Sequence, residues 1–293
     1  MIRVTGQTMM LSAQRGLAAS QGRLAELQER SHTLRRVEKA SDDPVAAAGA
    51  MAVRAQQTAS AQHARNIDDG RGWLTTVDSS LSAAEDILQR VRDLTVQGGG
   101  NGALNAQARE AMAIELDGLR SELLVRANTQ YLGRSVFAGT SDAASAFAAD
   151  GTFAGVPGTS VERRVGPGAP LRVDADGAAA FGSGAGSAFE LIRAIAADLR
   201  AGVPTAGRIA EVDARLKAVL DAHADVGVRH AALEKAAAAQ AEAAAHLEHR
   251  RANLEDADLS QTILDLKIQE TSYQAALAVT AKALPQSLLD FLR

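Results

Sequence analysis

The chain has 293 residues, a net charge of −4, no cysteine, and 46% hydrophobic residues, with aromatics at only 3%. Without cysteine there is no disulfide, thiolate metal site or thiol nucleophile. Both charge signs are interspersed, so no basic stripe awaits nucleic acid or anionic lipid, and no run of about 18 apolar residues offers a bilayer span. The hydrophobic content is mostly alanine, which favours helix but buries little area per residue. Long helices packed side by side are therefore expected, in one elongated unit or two domains.

The first residues, MIRVTGQTMMLSAQRG, carry one early arginine and no apolar h-region, so a cleaved secretory signal is not expected. From about Met10 to Leu34 a helix is predicted. Met10, Ala13, Leu17, Ser20, Leu24, Leu27 and Leu34 recur at steps of three and four, with small or polar gaps. A charged stretch, Arg35 to Lys39, ends it. Ser41-Asp42-Asp43-Pro44 then reads as a helix start: serine suits the N-cap, and acids and proline suit the first turn. No other ligands cluster with Asp42 and Asp43, so a metal reading of the pair is weak.

A long helix follows from Val45 to about Gln97. Its second half carries Trp73, Val77, Leu81, Leu88, Val91 and Leu94 on one stripe, and Gly70 and Gly72 inside it could loosen or kink it. Gly98-Gly99-Gly100-Asn101-Gly102 stops it; with no Lys-Ser or Lys-Thr after it, this is a turn and not a phosphate loop. Asn105 can cap the next helix, which presents Met112, Leu116, Leu119 and Leu123 and runs to about Gln130. Thr140 to Ser187 is rich in Gly, Ala, Ser and Asp, with short alternations at Val161–Val165 and Leu171–Val173. A small β-rich outer insertion is expected there, dispensable for contacts between subunits, with a flexible linker as the competing reading.

Helix resumes at about Ala188–Ala201, breaks at Gly202-Val203-Pro204 and restarts near Ala206. Val212, Leu216, Val219, Leu220, Val226 and Leu233 lead through the alanine run 236–245 to Leu247 and Leu254, either as one helix or bent at Gly227. From Asn253 no glycine or proline interrupts helix before Pro285. Leu259, Ile263, Leu266, Tyr273, Leu277, Thr280 and Leu284 form a second thin stripe, diluted by Glu270. Such a stripe needs a partner helix, and the matching one lies at the other end of the chain. The expected fold is mainly α: a long antiparallel helical rod whose N- and C-terminal helices pair as a coiled coil, with the β-rich insertion in mid-chain. Its parts are 1–40, 41–139, 140–187, 188–255 and 256–293.

No chemistry is evident. His246 and His249 stand three apart with Glu242 and Glu248 near, yet lack a His-Glu-x-x-His pattern, and a solvated helix face is the better reading. Glu255, Asp256 and Asp258 read as a charged helix face. No Gly-x-Ser-x-Gly elbow occurs, and Gly166-Pro167-Gly168 is a turn. No enzyme, cofactor or metal is expected. An assembly protein with pairing ends, or an intracellular helical signalling rod, are the classes that remain.

Several stretches carry a resemblance. Ser41-Asp42-Asp43-Pro44, Asn66-Ile67, Leu88 to Gln97, Arg109, Glu115 and Arg126-Ala127-Asn128 resemble the N-terminal region of the bacterial flagellin family. Leu254 to Asp258, Tyr273-Gln274-Ala275 and Leu288 to Leu292 resemble its C-terminal region. The likeness covers about residues 1–140 and 205–293. Within the family it leans to the branch that joins hook to filament. The start Met1 to Thr5 lacks the flagellins' Ile-Asn-Thr-Asn, Tyr131 to Thr140 is similar to the junction proteins' Gly-x-Tyr-Ile-Phe-Ala-Gly segment, and the ending SLLDFLR is similar to theirs. The family's Ser-Gly-Lys-Arg before SDDP is replaced by Ser31 to Arg36, without the glycine.

The resemblance implies a structural flagellar protein exported without a cleaved signal peptide. It would form a homo-oligomeric ring, with the first hook-associated protein on one side and flagellin on the other, and an export chaperone would attend it. It implies an inner layer of paired terminal helices, a next layer from 42–130 with 205–255, and ends that order on assembly. No nucleic acid or membrane partner is implied. The residues expected to carry assembly are Leu17, Leu24, Leu27, Leu34, Leu259, Ile263, Leu266, Tyr273 and Leu277. A filament flagellin is the alternative.

Overall fold

The computed structural model describes residues 6–100 and 105–283. Met1 to Thr5, Asn101-Gly102, Leu284, Pro285 and Leu288 to Leu292, invoked above, lie outside the described residues. Helices dominate: α1 (Gly6–Thr33), α2 (Pro44–Gly98), α3 (Ala106–Ala127), a short α4 (Gly177–Phe181), α5 (Ala188–Ala201), α6 (Ile209–Glu255) and α7 (Leu259–Ala283). Two antiparallel ribbons lie in mid-chain. Strand β1 (Gln130–Tyr131) pairs with β2 (Arg134–Ser135), and β3 (Glu162–Arg163) with β4 (Leu171–Arg172), Arg163 opposite Leu171. The chain divides into two compact units, residues 59–243 and the two terminal segments 1–58 with 244–293.

Burial holds the central unit together. The α2 stripe forecast from spacing is its spine, with Trp73, Val77, Leu81, Leu88, Val91 and Leu94 all buried. Helices α3 and α5 pack together, contributing Met112, Leu116 and Leu123 from one and Ile192, Ile195 and Leu199 from the other. Helix α6 adds Val212, Val219, Val226 and Leu233. Outside this core, Arg71–Glu234 at 2.7 Å and Arg92–Asp213 at 2.6 Å link α2 to α6. Local signals set the ends. Asn105 Oδ1 accepts from Ala108 N at 2.7 Å, Ser187 caps α5, and left-handed Gly202 closes it.

Residues 140–187 are not a flexible linker: they carry the β3–β4 ribbon and send side chains into the core of the central unit. Five of the six phenylalanines lie between positions 137 and 189. Phe137, Phe147, Phe181 and Phe189 are fully buried, at ring spacings of 5.1–6.1 Å along the cluster. The β3–β4 ribbon is fastened to α2 through Arg163, which pairs with Asp69 at 2.6 Å and lies over Trp73. Excising 145–180 would remove buried Phe147, Val161, Val173 and Ala175, so such a deletion would disturb the core of the central unit as well as any contact between subunits.

The two mid-helix glycine expectations also resolve. Helix α2 runs unbroken through Gly70 and Gly72, because the glycines serve close approach and not bending. A Cβ at Gly72 would collide with the Tyr131 ring. Helix α6 is likewise continuous through Gly227, where a Cβ would meet nothing within 4 Å. The pair makes a test in thermal melts. Gly227→Ala should stabilise by about 0.5–1 kcal/mol through helix propensity. Gly72→Ala should destabilise by about 1–3 kcal/mol despite the same propensity gain, because overpacking outweighs it.

Candidate assembly interface

The terminal unit has little to bury: among the described residues its buried apolar ones are Val37, Ala46, Ala50 and Val53. Polar fastening replaces bulk, and it begins where α1 ends. Leu34 adopts φ +55°, in the left-handed region that favours glycine, while its N–H still bonds Arg30 O at 2.9 Å. The turn that follows is built by SDDP. Asp42 Oδ2 accepts from Glu38 N at 3.1 Å and Lys39 N at 2.9 Å, and Asp43 Oδ1 accepts from Ala46 N at 2.9 Å. The N-cap of α2 is therefore Asp43, with Pro44 first in the helix, and not Ser41 as its residue type invited; Ser41 is exposed. The Lys39 and Glu38 amides hold the Asp42 carboxyl below its ordinary pKa, and the Ala46 amide does the same for Asp43.

At the other end, helix does not run uninterrupted from Asn253. Helix α6 stops at Glu255, Asp256 to Asp258 belong to no helix, and α7 starts at Leu259. Neither Gly nor Pro makes the break; the acids do. Asp258 Oδ1 accepts from Ser260 N at 2.8 Å and Gln261 N at 3.2 Å, capping α7. Glu255 is 3% exposed. Arg54 Nη2 lies 2.8 Å and 2.9 Å from its two oxygens, and Arg251 Nη1 lies 3.2 Å away. Burial works to raise the Glu255 pKa, but the bonds and charges of Arg54 and Arg251 outweigh it and hold the carboxyl below the ordinary glutamate value. Arg251 also reaches Asp256 at 3.3 Å and Glu248 at 2.8 Å. The acid run read as a charged helix face is thus a buried ion pair, a partner for Arg251 and a helix cap.

The two ends meet in a backbone clasp. Ala257 N donates to Leu34 O at 2.9 Å; Arg36 N and Val37 N donate to Glu255 O at 2.7 and 3.3 Å; Arg35 pairs with Asp256 as a β-bridge. From there α1 and α7 run antiparallel and in contact, with Gln269 Nε2 donating to Ser20 O at 3.0 Å and approaching its Oγ at 2.9 Å. A polar pair inside an apolar seam fixes register.

Of the residues expected to carry assembly, Leu17, Leu24, Leu27, Leu266 and Tyr273 are half-buried along this pair, as are Ala13 and Ser20. The α7 stripe is corrected. It runs Thr262, Leu266, Gln269, Tyr273, Ala276 and Thr280, with Asp265 and Glu270 half-buried beside it, so Gln269 dilutes the seam as well as Glu270 and Thr280. Leu259, Ile263 and Leu277, at 41–54% exposure, flank it, and Leu264, Ile268 and Val279 lie on the far face at 54–66%. Spacing missed this because α7 is apolar on several sides, and the Asp258 cap and clasp choose which side faces α1. Leu34 is off the helix and exposed. The outer face of α1, by contrast, carries Gln14, Arg15, Gln21, Arg23, Gln28 and Glu29. His246 and His249 are exposed, and Glu248 is engaged by Arg251 and by Gln57 Nε2 at 2.8 Å. Among the described residues no cluster of His, Cys, Asp or Glu could hold a metal, and no helix is long and apolar enough to cross a membrane.

A chain that pairs its own two ends through a thin seam, and leaves one of them apolar on the outside, has the form of an α-helical assembly subunit. Comparison with known proteins gives the family. The bacterial flagellin N-terminal helical region matches residues 4–142 and the C-terminal helical region residues 209–292, together about three quarters of the chain. The chain belongs to the bacterial flagellin family, whose members are flagellar structural proteins and not enzymes. It is similar to flagellar hook-associated protein 3 of Salmonella typhimurium, 31% identical over 147 residues, 50% of this chain and 46% of that one. It is also similar to flagellin A of Vibrio cholerae, 30% identical over 49% of this chain and 38% of the relative. The chain spans about half the length of the curated relatives it matches. In fold it is similar to the flagellar junction protein FlgL of Legionella pneumophila, with a TM-score of 0.57 and 17% identity, covering 71% of this chain and 100% of that one.

The lowered pKa values of Asp42 and Asp43 set an acid limit for this turn. What they contribute is fully present above the ordinary carboxylate value of about 4 and is lost as pH falls through their lowered folded values. Amide exchange at residues 38–47 should be flat from pH 7 to about pH 4, after correction for intrinsic rate, and rise below it. In Asp43→Ala it should be raised already at pH 7.

Proposed function

We propose that this chain is a structural subunit at the junction between the flagellar hook and filament, outside the cell, where copies form a ring. One observation carries the reading. The terminal helix α7 pairs with α1 yet leaves Leu259, Ile263, Leu264, Ile268, Leu277 and Val279 exposed, a surface that calls for cover by further subunits. The half-buried seam of Leu17, Leu24, Leu27, Leu266 and Tyr273 is the internal part of that interface, and the flanking leucines and isoleucines are the part offered to neighbours. The first hook-associated protein then binds on one axial side and flagellin on the other. An export chaperone covers the apolar helix before delivery. The likeness to hook-associated protein 3 and to a junction protein favours this position over the filament. The similarity to a flagellin makes a filament subunit the second reading.

Immunogold labelling of intact cells with antibody raised against residues 59–243 separates the two. Gold confined to one spot where hook meets filament supports the junction subunit. Gold along the whole filament makes the chain a flagellin, and gold only after permeabilisation overturns both. In the same strain Ile268→Asp should leave the thermal melt of the purified chain within about 1 °C, since an exposed substitution costs little. Incorporation at the junction should nevertheless fall at least about tenfold, equivalent to roughly 1.4 kcal/mol of contact.

A further inference from the structure

Glycine inside a helix weakens it relative to alanine, so each one asks for a reason. In the central unit Gly70 and Gly72 have theirs within the chain, close against Leu233 and Tyr131. Gly118 on α3 and Gly227 on α6 do not: a Cβ at either would meet nothing within 4 Å. Their surroundings are alike. On the outer face of α3, Ala111, Ile114, Gly118, Ser121 and Val125 follow at steps of three and four, all exposed, with Ile114 at 60% and Val125 at 67%. On the outer face of α6, Ala224, Gly227, Val228 and Ala231 are exposed, with Val228 at 69%. An outward helix face is ordinarily charged, and a run at this spacing is the seam of a helix that meets another.

We infer that these two faces meet across two copies of this chain: α3 of one subunit crosses α6 of the next, with Gly118 and Gly227 at the crossing. Four residues spaced i, i+3, i+4 and i+7 form the hole into which a facing helix inserts a side chain. Ala224, Gly227, Val228 and Ala231 have that spacing, and a glycine with two alanines leaves room for a β-branched Ile114 or Val125. In return, Gly118 leaves room for Val228. Charge points to the same partner. The α3 stripe is rimmed by Glu110, Glu115, Asp117 and Glu122; Arg200 and Arg90 pair with the first three, while Arg126 reaches Glu122 only at 3.5 Å. Beside the α6 face, Lys217 is taken by Asp221 and Arg229 by Asp225, whereas Lys235, two turns beyond Val228, has no partner among the described residues. A second copy therefore offers both the hole that fits and a cation for an acidic rim. Because the two faces differ, the contact is heterologous. Each copy uses α3 toward one neighbour and α6 toward the other, which builds a ring or a helical array and not a closed pair. The place of this contact in a flagellar ring rests on the function proposed above; the fit itself is between two copies wherever they meet.

Cysteine trapping tests it in a chain with no cysteine of its own. The full chain carries Ser121→Cys with Ala224→Cys, or with Ala231→Cys for the opposite direction of crossing. It is oxidised at millimolar concentration after purification, and again in isolated flagella, and read on non-reducing gels. One of the two pairs should give a ladder of disulfide-linked multimers at least tenfold stronger than any of the three single variants. In that background Gly118→Ala and Gly227→Ala should each cut the ladder at least fivefold, and Gly118→Leu should abolish it. Without the cysteines, each Gly→Ala variant should melt about 1–4 °C higher; a glycine that the subunit itself needs would melt lower. Five outcomes overturn the contact: no such ladder in either sample, a ladder indifferent to the glycine variants, Gly→Ala variants that melt lower, Ser121→Cys alone dimerising as readily as the pair, or Ser121→Cys in flagella trapped on another protein and not on a second copy. A chain located away from the junction overturns the proposed position alone, since the purified sample still decides the contact.

Discussion

The placement of a few bulky side chains governs this molecule. In a chain so rich in alanine, burial strong enough to hold helices together exists only where Trp, Phe, Leu and Ile converge. All the largest fully buried side chains, from Trp73 through Phe137 and Phe189 to Ile192, lie in the central unit. Apolar area removed from water is the main source of folding free energy, so most of that source lies in this unit. The terminal unit has small buried residues and exposed large ones, and it relies on directional bonds. Asp43 caps α2, Asp258 caps α7, Glu255 is held by two arginines, and Gln269 fixes the seam. The two units thus illustrate two ways of stabilising helices, one through area and one through hydrogen bonds that must each be made.

This division explains what could be read from the sequence. The α2 stripe was legible because a helix facing a broad core shows its large residues at regular spacing, and every residue assigned to the stripe is buried. The α5 boundaries were legible from turn residues, and β3 and β4 from the alternations at 161–165 and 171–173, whereas β1 and β2 were not read as strands. The face of α7 was not. Its sequence is apolar around most of the circumference, so periodicity alone allows more than one stripe, and the choice is made by the Asp258 cap and the clasp with residues 34–37. The break between α6 and α7 was hidden for a related reason: acids end one helix and cap the next there, work usually signalled by glycine and proline.

The mid-chain segment shows the same limit from the other side. Its glycines, alanines and serines look like a linker, and average composition hides the few residues that decide its fate. Phe147 and Phe181 draw it into the core, and Asp176 caps α4 to place Phe181 there. The concentration of phenylalanine in one stretch of an aromatic-poor chain was the signal available. The polar roles of Glu255 and Asp258 had only resemblance to point at them, because a carboxylate that pairs with arginines or accepts backbone N–H groups has no periodicity to betray it.

The clasp has a kinetic consequence as well. Arg36 and Leu254 are 218 positions apart in sequence, whereas each helix is built from bonds between residues four apart. Local bonds form in under a microsecond to microseconds, and distant ones must wait for the loop between them to shorten. Here the shortening comes from α2 and α6 lying side by side, linked near the clasp by Arg54–Glu255 and by Gln57–Glu248. The terminal pair is therefore the last part of the chain to find its place and the first to let go. A transporter that threads the polypeptide from either end would meet its least resistance there.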